Sequence, residues 1–148
     1  MKQSAAKLTE LDPVETARAL LQEADDAWLS EFTRSLRRHS ARDDLGRVLD
    51  VWGLSQSAAA EMLGVSRQAI SKWLRRGVPE ERLQAVADLS AATDLLMRYL
   101  KDGRIPAVVR RPSPGLGRKS LLELAAAGRT RDVLTACREM FGFGEALA

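Results

Sequence analysis

Gln56-Ser57-Ala58-Ala59-Ala60-Glu61-Met62-Leu63-Gly64-Val65-Ser66-Arg67-Gln68-Ala69-Ile70-Ser71-Lys72-Trp73-Leu74 is the stretch that decides the fold. Each of its features has a mechanical reason if two short helices meet at a tight turn. Ala60 is small where the helices cross. Gly64 supplies a turn residue whose positive φ is cheap only without a Cβ. Ser66 can cap the second helix, and Ala69, Ile70, Trp73 and Leu74 give that helix a buried side at helical spacing. Ala-x-x-x-Gly-Val-Ser-x-x-x-Ile-Ser-x-Trp is a helix-turn-helix pattern, more specific than any single dipeptide signal.

Outward from this stretch, helical periodicity runs through almost the whole chain. Asp12-Pro13-Val14-Glu15 combines a capping Asp, a first-turn Pro and a Glu three residues after the cap. Val14, Ala17, Leu20, Leu21, Ala24, Trp28, Phe32 and Leu36 then predict one long amphipathic helix over about residues 13–38. A second, shorter helix is expected after Ser40-Ala41-Arg42-Asp43, carrying Leu45, Val48, Leu49 and Trp52 and stopping at Gly53. Pro79-Glu80-Glu81 opens another long run with Leu83, Val86, Leu89, Thr93, Leu96, Met97 and Leu100 on one side, closed at Gly103. Residues 104–119, with five basic residues, no acidic ones and three prolines, read as a linker or loop. Within it, Ile105 to Val109 is the one strand-like stretch. Ser120-Leu121-Leu122-Glu123 is a capping-box pattern, and Thr130 reads as the cap of a last helix ending near Phe141. The expectation is an all-α fold in three parts. These are an N-terminal amphipathic helix (1–42), a helix-turn-helix domain with a connecting helix (43–102), and a basic loop with a C-terminal helical module (103–148).

Composition bounds the function. The 148 residues hold 45% hydrophobic and 29% charged residues, ordinary for a globular chain. Lys and Arg number 23 against 20 Asp and Glu, a net charge of +3 that by itself implies no nucleic acid. With one cysteine (Cys137) and one histidine (His39), neither a disulfide framework nor a Cys/His zinc site can form within one chain. No apolar run approaches the roughly 18–20 residues that span a bilayer, and the first residues lack a signal-type apolar core. The expectation is a cytoplasmic protein, associated with the nucleoid when on DNA, without membrane contact, cofactor or metal.

Over residues 43–90 the sequence resembles the Xre/Cro family of bacterial and phage regulators. That resemblance implies that the exposed residues of the second helix enter the major groove of double-stranded operator DNA. Carried over position by position, Arg67 and Gln68 become the leading base readers, with Ser71 and Lys72 one turn further on. The chemistry agrees, since Arg pairs bidentately with guanine and Gln with adenine. Gln56 matches a position that touches phosphate in this family, with Ser55, Ser57 and Ser66 as further donors beside helix N-termini. Lys72, Arg75 and Arg76 add phosphate contacts. The plain structural alternative is a helix-turn-helix that only packs or binds protein. Against it, residues 55–77 hold four basic residues and one acidic, all four on or just after the reading helix. Trp73 reads as a core anchor rather than a base-stacking residue.

Pro112-Ser113-Pro114-Gly115-Leu116-Gly117-Arg118-Lys119-Ser120-Leu121-Leu122-Glu123-Leu124, followed by Gly128 and Val133-Leu134, is similar to the C-terminal toxin-binding module of Xre/ParS/MbcA-type antitoxins. Pro112, Leu116, Gly117, Leu122 and Leu124 match its pattern. Ser113 stands for an Asn, Arg118 for the second Gly, Leu121 for a Pro and Ala125 for the last Leu. The resemblance implies a cognate toxin, an NAD-consuming enzyme, as partner. Arg110, Arg111, Arg118, Lys119, Phe141 and Phe143 become the candidate contacts. The alternatives are a solvated or phosphate-touching loop, and two phenylalanines that cover a core edge.

An enzymatic reading finds little support. Gly115-Leu116-Gly117-Arg118-Lys119-Ser120 lacks the Gly directly before Lys-Ser and the earlier Gly of a phosphate-binding loop. His39 lies among Arg37, Arg38 and Arg42, a poor setting for a general base. Asp25-Asp26 and Asp43-Asp44 point in different directions on a helix and read as solvated charge. Residues 8–26 hold six acidic residues against Arg18 alone, whereas 34–47 hold five arginines against Asp43 and Asp44. A helix-turn-helix reads only a few base pairs, so a homodimer is expected. The stripe Leu20, Leu21, Trp28, Phe32 and Leu36 can serve as its surface or pack on its own chain's core. The function expected is a sequence-specific repressor, an antitoxin that regulates its own operon. A stand-alone or phage-type regulator and an antitoxin with weak or no DNA binding stand as alternatives.

Overall fold

The computed structural model describes residues 10–101 and 103–142, and among them the fold is all-α. The chain divides into two units, Met1–Leu36 and Arg37–Ala148. Helix α1 (Pro13–Glu23) belongs to the first, and α2 (Asp26–Trp52) begins there and continues into the second. The second unit goes on with α3 (Gln56–Leu63), α4 (Arg67–Arg76), a 3-10 turn (Glu80–Arg82), α5 (Leu83–Tyr99), α6 (Ile105–Arg110), a second 3-10 turn (Pro114–Leu116), α7 (Leu121–Ala126) and α8 (Thr130–Met140).

The expected single helix over 13–38 is not formed. Ala24 turns extended (φ −80°, ψ 140°), and the Asp25 carboxylate accepts the Trp28 N–H at 2.7 Å, so Asp25 caps a new helix. Nor is there a break near Ser40. Residues 38–43 contain no Gly or Pro, and α2 runs through them to Trp52. In the first unit Asp12 accepts the N–H groups of Val14 and Glu15, the cap its position predicts. No residue from Glu10 to Ser40 is buried, and Trp28 and Phe32 stack with ring centroids 5.0 Å apart.

The core lies in the second unit. Leu45, Val48 and Trp52 of α2, Met62 of α3, Ile70 of α4, Leu89 and Leu96 of α5, Val109 of α6, Leu121 of α7 and Val133 of α8 are all fully or almost fully buried. Met97, expected on the apolar side of α5, is exposed. Buried polar groups are paired, as burial requires. The Trp52 indole N–H donates to Thr93 Oγ1 at 2.9 Å, and that hydroxyl donates to Leu89 O at 2.7 Å. Arg47 of α2 reaches Asp94 and Ser90 of α5.

Residues 104–119 are more ordered than the predicted linker. Ile105 to Val109 is helical rather than strand-like: Pro106 fits a first helical turn, and Ile105 and Val109, four apart, bury the same face. Among the described residues there is no strand, only an isolated bridge between Ser113 and Lys119. The capping box of α7 is as predicted: Ser120 Oγ accepts the Glu123 N–H at 3.0 Å, and Glu123 accepts the Ser120 N–H at 2.8 Å. Thr130 is not a cap. It is the first helical residue of α8, buried, with its hydroxyl on Asp88 Oδ2 at 3.2 Å. Asp88, itself only 4% exposed, also accepts from Gln84 at 2.9 Å and faces Arg131 at 3.6 Å, joining α5 to α8.

Candidate nucleic-acid interface

The site is built around a turn of three residues. At its start Gly64 is left-handed (φ 64°), and Val65 N–H reaches back to Ala60 O at 3.0 Å, closing α3 in a glycine cap. Arg82, which no local sequence pattern marks, donates to Leu63 O at 2.9 Å and ties the same helix end to the turn before α5. At the end of the turn, Ser66 is extended and its Oγ accepts the Ala69 N–H at 3.0 Å. Two helices of eight and ten residues are thereby held at a fixed crossing.

Helix α4 is sharply two-sided. Ile70 and Trp73 are buried and Ala69 and Leu74 partly so, which makes Trp73 the core anchor that its spacing predicts. On the other side Gln68, Ser71, Lys72 and Arg75 fall at i, i+3, i+4 and i+7, a single stripe. Gln68, Lys72 and Arg75 are exposed and Ser71 half-buried; exposed Arg67 and Arg76 flank the stripe at the two helix ends. Arg75 folds back, its Nε donating to Ser71 O at 3.3 Å. No acidic residue lies on α4. The side chains that leave the core are therefore amide, hydroxyl and cationic, a set suited to base edges and phosphates.

At the N-terminus of α3, Ser55 is the cap: its Oγ accepts the Ala58 N–H at 3.1 Å. Its hydroxyl hydrogen stays available to donate, as does that of Ser66. Ser57 is exposed and Gln56 half-buried beside it. After α4 the chain is pinned to α2. Gly77 takes φ 110°, Val78 N–H donates to Arg38 O at 3.2 Å, and Arg38 Nε donates to Val78 O at 3.2 Å. These backbone contacts to Arg38 were not legible in the sequence, where Arg38 was one cation in a run.

The candidate partner residues are placed differently from one another. Arg110 is engaged within the chain, its guanidinium donating to Trp52 O at 2.8 Å, Gly53 O at 2.9 Å and Pro106 O at 2.7 Å. It satisfies carbonyls that α2 leaves at its C-terminus. Arg111, Arg118 and Lys119 are exposed. Arg118 is left-handed (φ 64°), directly after left-handed Gly117, and its N–H reaches Ser113 O at 3.0 Å. Phe141 stacks on Tyr99 of α5 with centroids 4.7 Å apart. Phe143 lies outside the described residues.

Among the described residues no cluster of three or more His, Cys, Asp or Glu can hold a metal ion, and no helix is long and apolar enough to cross a membrane. Burial raises the Cys137 thiol to about 12, which leaves it protonated and unreactive.

Comparison with known proteins agrees with this geometry. Residues 53–89 match the family model described as helix-turn-helix. No curated protein sequence matches the chain. Among solved structures, a chain of the crystal structure of the M. tuberculosis MbcT-MbcA toxin-antitoxin complex is similar, at 19% identity and a TM-score of 0.55. The match covers 67% of this chain and 91% of that one. Residues 53–89 thus form a helix-turn-helix, set in a fold that is all-α among the described residues.

Proposed function

We propose that the protein is a sequence-specific DNA-binding regulator that occupies its operator as a two-fold homodimer and represses transcription. The observation that carries this is the polar stripe of α4, backed by the buried Ile70 and Trp73 that hold the helix in place. Arg67 and Gln68, at the N-terminal end of α4, read base edges. Ser71 and Lys72 follow one turn later, and Ser55, Gln56, Ser57, Ser66, Arg75 and Arg76 hold phosphates. A complex with cationic phosphate contacts loses affinity steeply with salt.

We further propose that the segment from residue 103 onward binds a protein partner, the toxin of a pair encoded with this chain, and that the regulator controls their shared operon. Support comes from the likeness to a chain of the toxin-antitoxin complex and from the exposed Arg111, Arg118 and Lys119, all within residues 111–119. Affinity capture of the tagged protein from its native cell, with co-purified protein and DNA identified from one eluate, tests both parts. A small stoichiometric protein together with DNA from the protein's own locus is expected. DNA without a protein partner would remove the antitoxin reading, and a partner without DNA would remove the regulator reading.

A further inference from the structure

We infer that the face formed by Trp28, Phe32 and Leu36, four residues apart on α2, is covered by the same segment of a second copy of this chain, running antiparallel. This deepens the dimeric reading above and rests on it. A helix is stabilised in a protein chiefly by burying its apolar side, and short isolated helices are marginal in water. Helix α1 has 11 residues and none is buried. Leu21 is 71% exposed, Trp28 45%, Phe32 39% and Leu36 54%, and the stack of Trp28 on Phe32 presents two aromatic faces side by side. Large exposed aromatics so close together are the composition of an interface centre rather than of a solvated surface.

Charge identifies the occupant. Between residues 10 and 26 there are six carboxylates (Glu10, Asp12, Glu15, Glu23, Asp25, Asp26) and one cation, Arg18. Between 34 and 42 there are four arginines (34, 37, 38, 42) and no carboxylate. Along the sequence the aromatic pair lies between these two blocks, with Glu31 beside it paired to Arg34. A segment that is acidic, then aromatic, then basic complements itself when a second copy is laid over it in the opposite direction. It repels itself when the copies run parallel. A two-fold axis perpendicular to the helix generates this antiparallel arrangement, and a two-fold axis also relates the half-sites of a paired operator.

The test is the mass of the full-length protein in solution, by light scattering across a dilution series, for charge-reversed variants. Asp12, Asp25 and Arg38 are left intact because each hydrogen-bonds a backbone group of the chain; Arg34 pairs with Glu31 at 2.8 Å, so Arg34→Ala is measured beside the reversed pair to report the loss of that contact. Glu15→Lys with Glu23→Lys, and separately Arg34→Glu with Arg37→Glu, should each weaken the dimer by roughly tenfold or more, through like charges brought together at the rim. All four changes in one chain should restore it to within about threefold of the unaltered protein, since the pattern is then inverted but still self-complementary. Phe32→Asp should give a monomer whose thermal unfolding is otherwise retained. A monomeric unaltered protein, a dimer insensitive to Phe32→Asp, or a fourfold variant as weak as either pair would overturn the inference. Footprinting separates this from the regulator reading: a normal two-half-site footprint with an insensitive dimer means another surface pairs the copies. A charge-dependent dimer that protects no DNA leaves the pairing standing and removes the operator reading.

Discussion

Ser66 Oγ accepts the backbone N–H of Ala69 at 3.0 Å, so the first turn of α4 is closed by the side chain that ends the turn before it. The hydrogen bond fixes where the helix begins, and hence where Arg67 and Gln68 point. Ser66→Ala removes the cap and should lower stability by about 1 kcal/mol, read by urea denaturation. Ser66→Asp keeps a capping acceptor and should restore stability, but places a negative charge among the phosphate contacts. DNA affinity should therefore fall for both variants, and more for Ser66→Asp in a gel-shift titration.

Gly77 closes the other end of the reading helix. Its φ of 110° is one that side chains rarely adopt, and a Cβ there would lie 3.2 Å from Arg38 O. Gly77→Ala should cost on the order of 1–3 kcal/mol and loosen the pinning of Val78 to Arg38. A lowered melting temperature, with a larger relative loss in DNA binding than Ser66→Ala, is expected.

These two ends show what a sequence can and cannot disclose. Gly64, Ser66, Ile70 and Trp73 were legible because turn chemistry and helical spacing are local properties. The break at Ala24 was hidden because Asp25 was read as surface charge, although it is a good cap; the apolar period continues across it at Leu21, Ala24 and Trp28. The helical state of Ile105 to Val109 was hidden because a five-residue apolar run has no decisive period. The roles of Arg38, Arg82 and Arg110 are contacts to backbone carbonyls 19 to 58 residues away, which no spacing along the chain reports.

Arg118 is the one described non-glycine residue with positive φ, at the place where the resembling antitoxin motif has glycine. Such a backbone costs an L-residue about 1 kcal/mol or more, partly offset in glycine by the entropy of its unfolded chain. Arg118→Gly should raise stability by up to about 1 kcal/mol. If Arg118 touches a partner, the same variant should weaken that complex while the free protein unfolds at a higher temperature. Calorimetry of both species checks the two effects separately.

Burial raises the Cys137 thiol from its ordinary value to about 12 in the folded protein. The folded state then holds a proton that the unfolded state releases above about pH 9. Its contribution is present below that pH and is lost as pH rises toward 12, so Cys137→Ala should unfold with a shallower alkaline dependence. Iodoacetamide at pH 8 should label the native protein slowly and the urea-unfolded chain fully.

The account rests on α4 as a reader of base edges, and selection from a random duplex DNA pool by the full-length protein tests this most directly. The predicted result is an inverted repeat with half-sites about 10 base pairs apart, centre to centre. Arg67→Ala with Gln68→Ala should lose that preference, while Lys72→Ala should weaken all sequences alike and lower the salt dependence by about one ion. No enriched sequence, or the same enriched repeat from the Arg67→Ala, Gln68→Ala variant, would contradict it.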